Sequence, residues 1–553
     1  MNNEKNNLVL AIVLSVIAIG LTNFLFPAQK KETPQVQTAP QMQKITDAEL
    51  LYVAPALEAE DVLAQDKRLQ LSNDKLSGSI RLKGARLDEL NLTKYKESLD
   101  ADSKDVELFF PSKTKSPYFA EFGWLSTDKS ITLPTKDSLW TVRGNQKLTP
   151  STPVVLEYSN NQGLKFIQKI SLDDDYMFFV EQLVENKSGK VVELYPFALI
   201  SKKQEEAKKT SVVHEGFIGV LADDLKEVKF SKLEDKEAKT YKSSQGWLGF
   251  SDKYWFSSVI FKDSKDANVK FSNIATDTYQ ADYVGAPVVI QPSSIGVNNL
   301  KLFAGAKEIK LLDKYTDEYN IGKFDLAVDF GWYYFLTKPF FYVLDFLYKL
   351  IGNMGWSILL FAALLRLAMF PVANKSFDSM SKMKKVQPRL KELQDRYSND
   401  KMRLQQEMMA LYKKEKINPA SGCLPMFIQI PVFFSLYKVL NISIEIRHAP
   451  FIGWIKDLSA PDPMTISHMT GLPIPTLLNI GILPIVMGIT MWLQQKLNPA
   501  PTNKDQARAF ALMPLIFTFM MGHFASGLVI YWTLSNILSM TQQKVIMKKN
   551  GVK

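Results

Sequence analysis

At position 366 a guanidinium sits inside the run from Met354 to Phe370, whose other residues are apolar or small. Placing an arginine inside a membrane costs roughly 2.5–3.5 kcal/mol on insertion scales, and such residues usually face a wet cavity or a partner. No acidic residue shares the run, so the charge is available to attract the carboxylates or dipoles of another chain. The alternative is that Arg366 snorkels to the nearby interface, since Pro371 ends the helix soon afterwards. Local sequence leaves both readings open.

Other apolar runs carry neutral polar groups: Gln429, Ser435, Asn479, Thr490, Thr518, His523, Tyr531, Thr533, Ser535, Asn536 and Ser539. Tyr531 and Ser535 share one helical face at i, i+4. Each alone could be interhelical glue, worth about 0.6 kcal/mol. Together with an unneutralised arginine they imply a polar interior. A small-molecule transporter with an exterior binding domain is the alternative, but such proteins use broken-helix repeats and paired acids. Here the five core runs contain no Asp or Glu, and no repeat is visible. Lys438, a second cation, lies at the outer end of its run and can snorkel to water.

Enzymatic chemistry is hard to find. No GxxxxGK[ST] phosphate loop occurs, His214 is the only imidazole before residue 448, and Asp173-Asp174-Asp175 fits a turn better than a metal site. No cofactor, metal or catalytic role is expected.

The elements that must position these residues follow from composition. The chain has 553 residues, 22% of them charged, too many for one domain and too polar for a pure membrane bundle. Its net charge of +10 lies largely in segments flanking apolar runs, with no nucleic-acid signature, so DNA is not an expected partner. The single Cys423 excludes an intrachain disulfide and is expected to be a buried thiol. Leu8–Phe26 is a largely apolar run of nineteen residues, roughly 28 Å as a helix. A cleavable signal peptide would carry a shorter apolar region, so an uncleaved anchor is expected.

Five further spans are expected near Gly355–Pro371, Cys423–Leu440, Ile474–Leu493, Ala509–Met521 and Ser526–Thr541. The connection Asn374–Lys416 carries twelve basic against six acidic residues and should be cytoplasmic. Asn441–Pro473 should be outside, and the loop around Lys496–Arg508 and the lysine-rich tail inside. Parity then puts both termini in the cytoplasm and residues 28 to about 340 outside. The expected division is an anchor (1–27), a linker (28–46) and an exterior domain (47–335). An interfacial amphipathic helix (336–352), a second span (353–373) and a cytoplasmic helical hairpin (374–418) follow. Four more spans (419–543) and a short basic tail (544–553) complete it.

In the exterior domain, alternating runs such as Leu164–Leu172, Met177–Val184 and Val191–Ile200 predict a large antiparallel β-sandwich. In the interfacial helix Thr337 is the expected N-cap. In the hairpin, Met380, Met383, Val386, Leu390, Leu393 and Tyr397 recur at steps of three and four, as do Leu404, Met408 and Leu411. Two amphipathic helices follow, the first kinked at Pro388. The methionines, with Met402 and Met409 alongside, either pack the hairpin or form an adaptable surface that catches client segments.

Several stretches resemble a known family. They are Gln387-Pro388-Arg389, Gln406-Glu407-Met408-Met409-Ala410-Leu411-Tyr412-Lys413, Asn418-Pro419, Gly422-Cys423-Leu424-Pro425 and Gln429-Ile430-Pro431-Val432-Phe433. Further on come Ile455-Lys456-Asp457-Leu458-Ser459-Ala460, Pro463, Gly527 to Trp532, and Ser535-Asn536. In this order they resemble the YidC family of bacterial membrane protein insertases, in its Gram-negative form. The resemblance implies a polytopic α-helical inner-membrane protein of six transmembrane helices, five enclosing a hydrophilic groove, with a periplasmic β-supersandwich related to sugar-mutarotase folds but without their catalysis. Arg366 would be the positive centre of the groove, with Gln429, Tyr531, Trp532, Ser535 and Asn536 along it. Expected partners are nascent membrane proteins, the lipid bilayer, the Sec translocon with its accessory subunits, and the ribosome, for which the tail is short. Two departures are Ala362, where some relatives carry a polar residue, and Trp532, where a second tyrosine is expected.

Overall fold

Strict alternation builds the exterior domain. In Leu164–Leu172 the side chains of Leu164, Phe166, Gln168, Ile170 and Leu172 all turn inward, the period-two signature of a half-buried strand. The computed structural model describes residues 57–204, 213–233, 237–415, 417, 424–476, 478–499 and 504–551. The expected anchor, the linker and Cys423 lie outside these residues. The described part contains an eleven-stranded and a nine-stranded sheet. In the smaller sheet Met177–Asn186 is central, pairing antiparallel with Leu164–Leu172 and Ile295–Ala306, so that Val180 faces both Ile170 and Leu300. In the larger, Val192–Lys203 lies between Tyr118–Leu125 and Thr278–Val284. Two inward glutamines bridge the sheets: Gln168 Nε2 donates to Phe122 O (2.8 Å) and Gln182 Nε2 to Gly123 O (2.9 Å). These bonds satisfy the buried amide nitrogens and offset part of the cost of burying them, while Gln168 Oε1 has no partner among the described residues.

The expected strands are all present, but others were not anticipated. Arg86–Lys96, Gly216–Leu221, Ala267–Ala275 and Ile295–Ala306 are strands too. Charged or small residues break their alternation, and pairing with neighbours overrides weak local preference. The Asp173–Asp175 stretch is a turn, in which Asp173 Oδ1 accepts from the N–H groups of Asp175 and Met177 (both 2.9 Å).

Helix α1 (Ile309–Glu318) follows the last strand, and α2 (Tyr334–Ile351) leads to the bundle. α2 begins two residues before the expected 336. Thr337 is not its cap; its Oγ1 donates back to Tyr333 O at 2.9 Å. Phe340, Phe341, Leu344 and Leu347 are buried, while Phe335, Phe346 and Leu350 face outward. Helix α3 (Met354–Ala368) is capped by Asn353, whose side chain accepts from Trp356 N. It meets α4 (Phe370–Arg396) at a 67° bend. Pro371 explains the bend: its ring disfavours helix at the preceding residue and it has no N–H to donate.

α4 continues through Pro388 as one helix. After a turn capped by Asp400, α5 (Lys401–Lys414) folds back. The remaining helices are α6 (Leu424–Ile442), α7 (Ile482–Leu497), α8 (Lys504–Met521) and α9 (Ser526–Lys549). α7 starts eight residues later than the expected span. Pro473 and Pro475 break the apolar run, and Asp462 Oδ2 accepts from Leu483 N (2.8 Å), capping the helix where it does begin. α7 and α8 touch closely at Gly488, where a Cβ would lie 1.9 Å from Thr518 Oγ1. Among the described residues no single helix is both long and apolar enough to cross a membrane, whereas the bent α3–α4 pair is. Shorter apolar helices cover Phe427–Ile442 and Ala507–Met521.

Candidate functional site

α9 carries the polar face on which the site is built. Tyr531, Ser535 and Ser539 recur every four residues and are buried, with Asn536 beside them. Arg366, in the last turn of α3, reaches this face: its Nη2 donates to Ser535 O (3.2 Å) and Ser535 Oγ (3.1 Å). Its Nε is buried and has no hydrogen-bond partner among the described residues. No carboxylate among the described residues pairs with it. One helical turn earlier, Tyr531 Oη accepts from Gln429 Nε2 at 2.8 Å, which brings in α6. Asn536 Nδ2 donates to Thr490 Oγ1 at 3.1 Å, which brings in α7. Ser435 Oγ, also on α6, is buried with no described partner.

Four predicted residues thus meet along one face: Arg366, Gln429, Tyr531 and Ser535. Asn536 joins the neighbouring helix contact. Trp532 points elsewhere, edge-on to Phe433 (4.9 Å) and tilted against Phe517 (5.8 Å). One step along a helix turns a side chain by about 100°, so neighbours of Tyr531 cannot share its face. Ala362, one turn before Arg366, is buried. Among the described residues the arrangement holds a cation by neutral oxygens, leaving its charge free for an incoming anion.

The hairpin methionines divide. Met383 and Met408 pack with Leu411 and Tyr412 around Val386, Leu390 and Ile417. Met402 and Met409 are 64% and 50% exposed and line one face of α5 with Gln406 and Lys413. Met380 is half-buried between these extremes. Packing and an exposed surface are therefore both realised, by different residues. Replacing Met402 and Met409 together by serine is expected to leave the hairpin folded and to weaken crosslinking to an apolar client segment. Replacing Met383 and Met408 instead removes hairpin packing, at about 2 kcal/mol or more per truncated side chain, read as faster proteolysis of the hairpin.

Sequence reasoning missed how the exterior domain is fastened. Lys438 does not snorkel. Its Nζ meets Asp329 Oδ2 at 2.7 Å, and Asp329 also accepts from His214 N (3.2 Å) and Gly331 N (3.1 Å). Burial alone would raise the Asp329 carboxyl, but Lys438 and these N–H groups hold it below the ordinary range. Arg447 Nη2 donates to Lys96 O (2.6 Å) and Glu97 O (3.0 Å) and lies over the Trp255 ring. Lys338 of α2 bonds Asp313 (2.8 Å) and Asp325 (2.6 Å). The one legible signal was Glu445, an acid set among Ile442, Ile444 and Ile446.

Two family models match the β-sandwich and the helical region that follows it. Residues 68–343 match the YidC periplasmic domain, and residues 346–553 match the 60Kd inner membrane protein family. Membrane protein insertase YidC of Bradyrhizobium diazoefficiens is 43% identical, covering all of this chain and 97% of the relative. That of Nitrobacter hamburgensis is 45% identical, covering 100% and 96%. A crystal structure of an active YidC insertase with its first transmembrane domain resolved covers 96% of this chain and 98% of its own, at 17% identity and TM-score 0.36. The chain belongs to the YidC family of membrane protein insertases. It therefore has a periplasmic β-sandwich domain and a helical inner-membrane region, and these relatives give no support to a transporter.

Proposed function

We propose that the face formed by Arg366, Gln429, Tyr531 and Ser535 is the wall of a hydrophilic groove through which this insertase passes the polar parts of nascent membrane proteins. The observation that carries this reading is a guanidinium within an apolar helix that, among the described residues, is bound to a serine hydroxyl and a carbonyl and to no carboxylate. Five spans would enclose the groove, with the segment at 8–26 as a sixth span and both termini cytoplasmic. Loop charges support that orientation.

Moving an acidic segment across an apolar slab is slow because its charge must be desolvated. A water-filled half-channel thins the slab, and Arg366 attracts the segment into it. The hairpin gathers the client's apolar segment through Met402 and Met409. That segment then partitions into lipid, and its burial drives the exterior stretch across without nucleotide hydrolysis. The Sec translocon would be a partner for larger clients, and the basic tail a minor contact for the ribosome.

Reconstitution of the purified chain alone into liposomes tests this. A single-span client added without nucleotide should become protected from external protease. A liposome that takes up small solutes but protects no client would contradict the reading.

A further inference from the structure

Where the exterior domain meets the bundle, a small cavity lies under α2. Phe341 and Tyr348 of α2, Met354 at the start of α3, and Glu445 from the turn after α6 form its walls; Asp345 and Lys349 supply further charge. Glu445 is the unusual member. Its Oε1 accepts from Ile309 N at 3.3 Å. Its Oε2 is sealed from solvent and has no hydrogen-bond partner among the described residues.

The cations nearby are already engaged. Lys310 bonds Asp345, and Lys349 lies 3.7 Å from the same carboxylate. Lys75 bridges Glu308 and Asp175, each at 2.8 Å. Among the described residues an ionised Glu445 thus lacks a counter-ion, a costly state for a carboxylate with one oxygen shut off from water. Burial, with Glu308 and Asp345 adding repulsion, pushes its carboxyl up to about 7. A compact cation with N–H donors would resolve this, and the two ring walls suit one by cation–π attraction.

We propose that this cavity binds the primary-ammonium headgroup of a zwitterionic phospholipid. The ammonium lies against the Glu445 side chain that lines the cavity, the phosphate meets Lys349, which is 66% exposed, and the acyl chains follow the outward apolar face of α2 at Phe346 and Leu350. The proposal rests on the reading above only in placing α2 at the edge of the bilayer.

Native mass spectrometry of the full chain tests it, with phosphatidylethanolamine, its N-monomethyl form, phosphatidylcholine and phosphatidylglycerol carrying identical acyl chains. Phosphatidylethanolamine should be retained about tenfold more tightly than phosphatidylcholine, as expected when charged hydrogen bonds are lost, with the monomethyl lipid between them. Glu445→Gln, which is isosteric, should erase that preference, and Lys349→Gln should weaken all four lipids alike. Equal retention of ethanolamine and choline lipids by the wild type would overturn the proposal without any variant. So would a preference that survives Glu445→Gln, or a dominant preference for phosphatidylglycerol. Headgroup selectivity is read without a client, so a chain that selects the lipid but inserts nothing counts against the insertase reading alone.

Discussion

Arg366→Ala should lower insertion of a single-span client with an acidic exterior segment by about tenfold or more. A hydrogen-bonded ion contact is worth about 1.5–3 kcal/mol, and each 1.4 kcal/mol is a factor of ten. Arg366→Lys should recover most of that loss, because the cation is kept while the forked contact to Ser535 is not. A client whose exterior segment has no acid should be much less affected. The contrast between clients separates an electrostatic role from a structural one. Misfolding of the alanine variant would depress both clients together. Full insertion by Arg366→Ala, with lysine no better, would take the charge out of the mechanism.

The second large effect concerns the seat of the exterior domain. Lys438 and Asp329 lie more than a hundred residues apart and are both mostly buried, with side-chain exposures of 17% and 22%. Removing one partner of a fully buried ion pair costs about 3–5 kcal/mol; the residual exposure here brings that down to about 2. Lys438→Met should therefore free the domain from α6, read as faster hydrogen exchange in the Asp329–Gly331 segment. Asp329→Asn should cost about as much, since its single oxygen can accept from only one of His214 N and Gly331 N, which use different carboxylate oxygens, and Lys438 loses this counter-ion; the double variant should be less than additive. The pH dependence has a definite sign. Asp329 is held below the ordinary carboxylate value of about 3.9, so the pair stabilises the fold fully above that value. The stabilisation is lost as pH falls through the lower, folded value, and between pH 5 and 8 it stays flat.

Which parts of this structure were legible in the sequence depends on the range of the forces involved. Leu164–Leu172 was legible because a strand with one buried face writes its period directly into residue order. Arg366 was legible because an apolar run makes any charge conspicuous. Tyr531 and Ser535 were legible as one face, since helical geometry fixes what lies four residues away. The hairpin pattern predicted two packed helices but did not divide the methionines. Both Met408 and Met409 fit the chemistry of an adaptable surface, and only the register of α5 against α4 turns the first inward and leaves the second exposed. The start of α7 was misplaced because its cap, Asp462, comes from twenty residues upstream. Lys438 and Asp329, and Arg447 with the Lys96 carbonyl, carry no local signal at all. Their pairing is set by how two separately folded parts dock.

Water access at position 366 is the claim on which the mechanism turns. In a chain with Cys423→Ser, single thiols introduced as Arg366→Cys and Gln429→Cys should react with a charged, membrane-impermeant reagent supplied from the cytoplasmic side. Leu367→Cys serves as the control, since Leu367 is 68% exposed on the neighbouring, apolar flank of α3 and should face lipid. The account predicts fast labelling at 366 and 429 and none at 367. Labelling at 366 as slow as at 367 would mean that the guanidinium faces hydrocarbon, and the groove would have no physical basis.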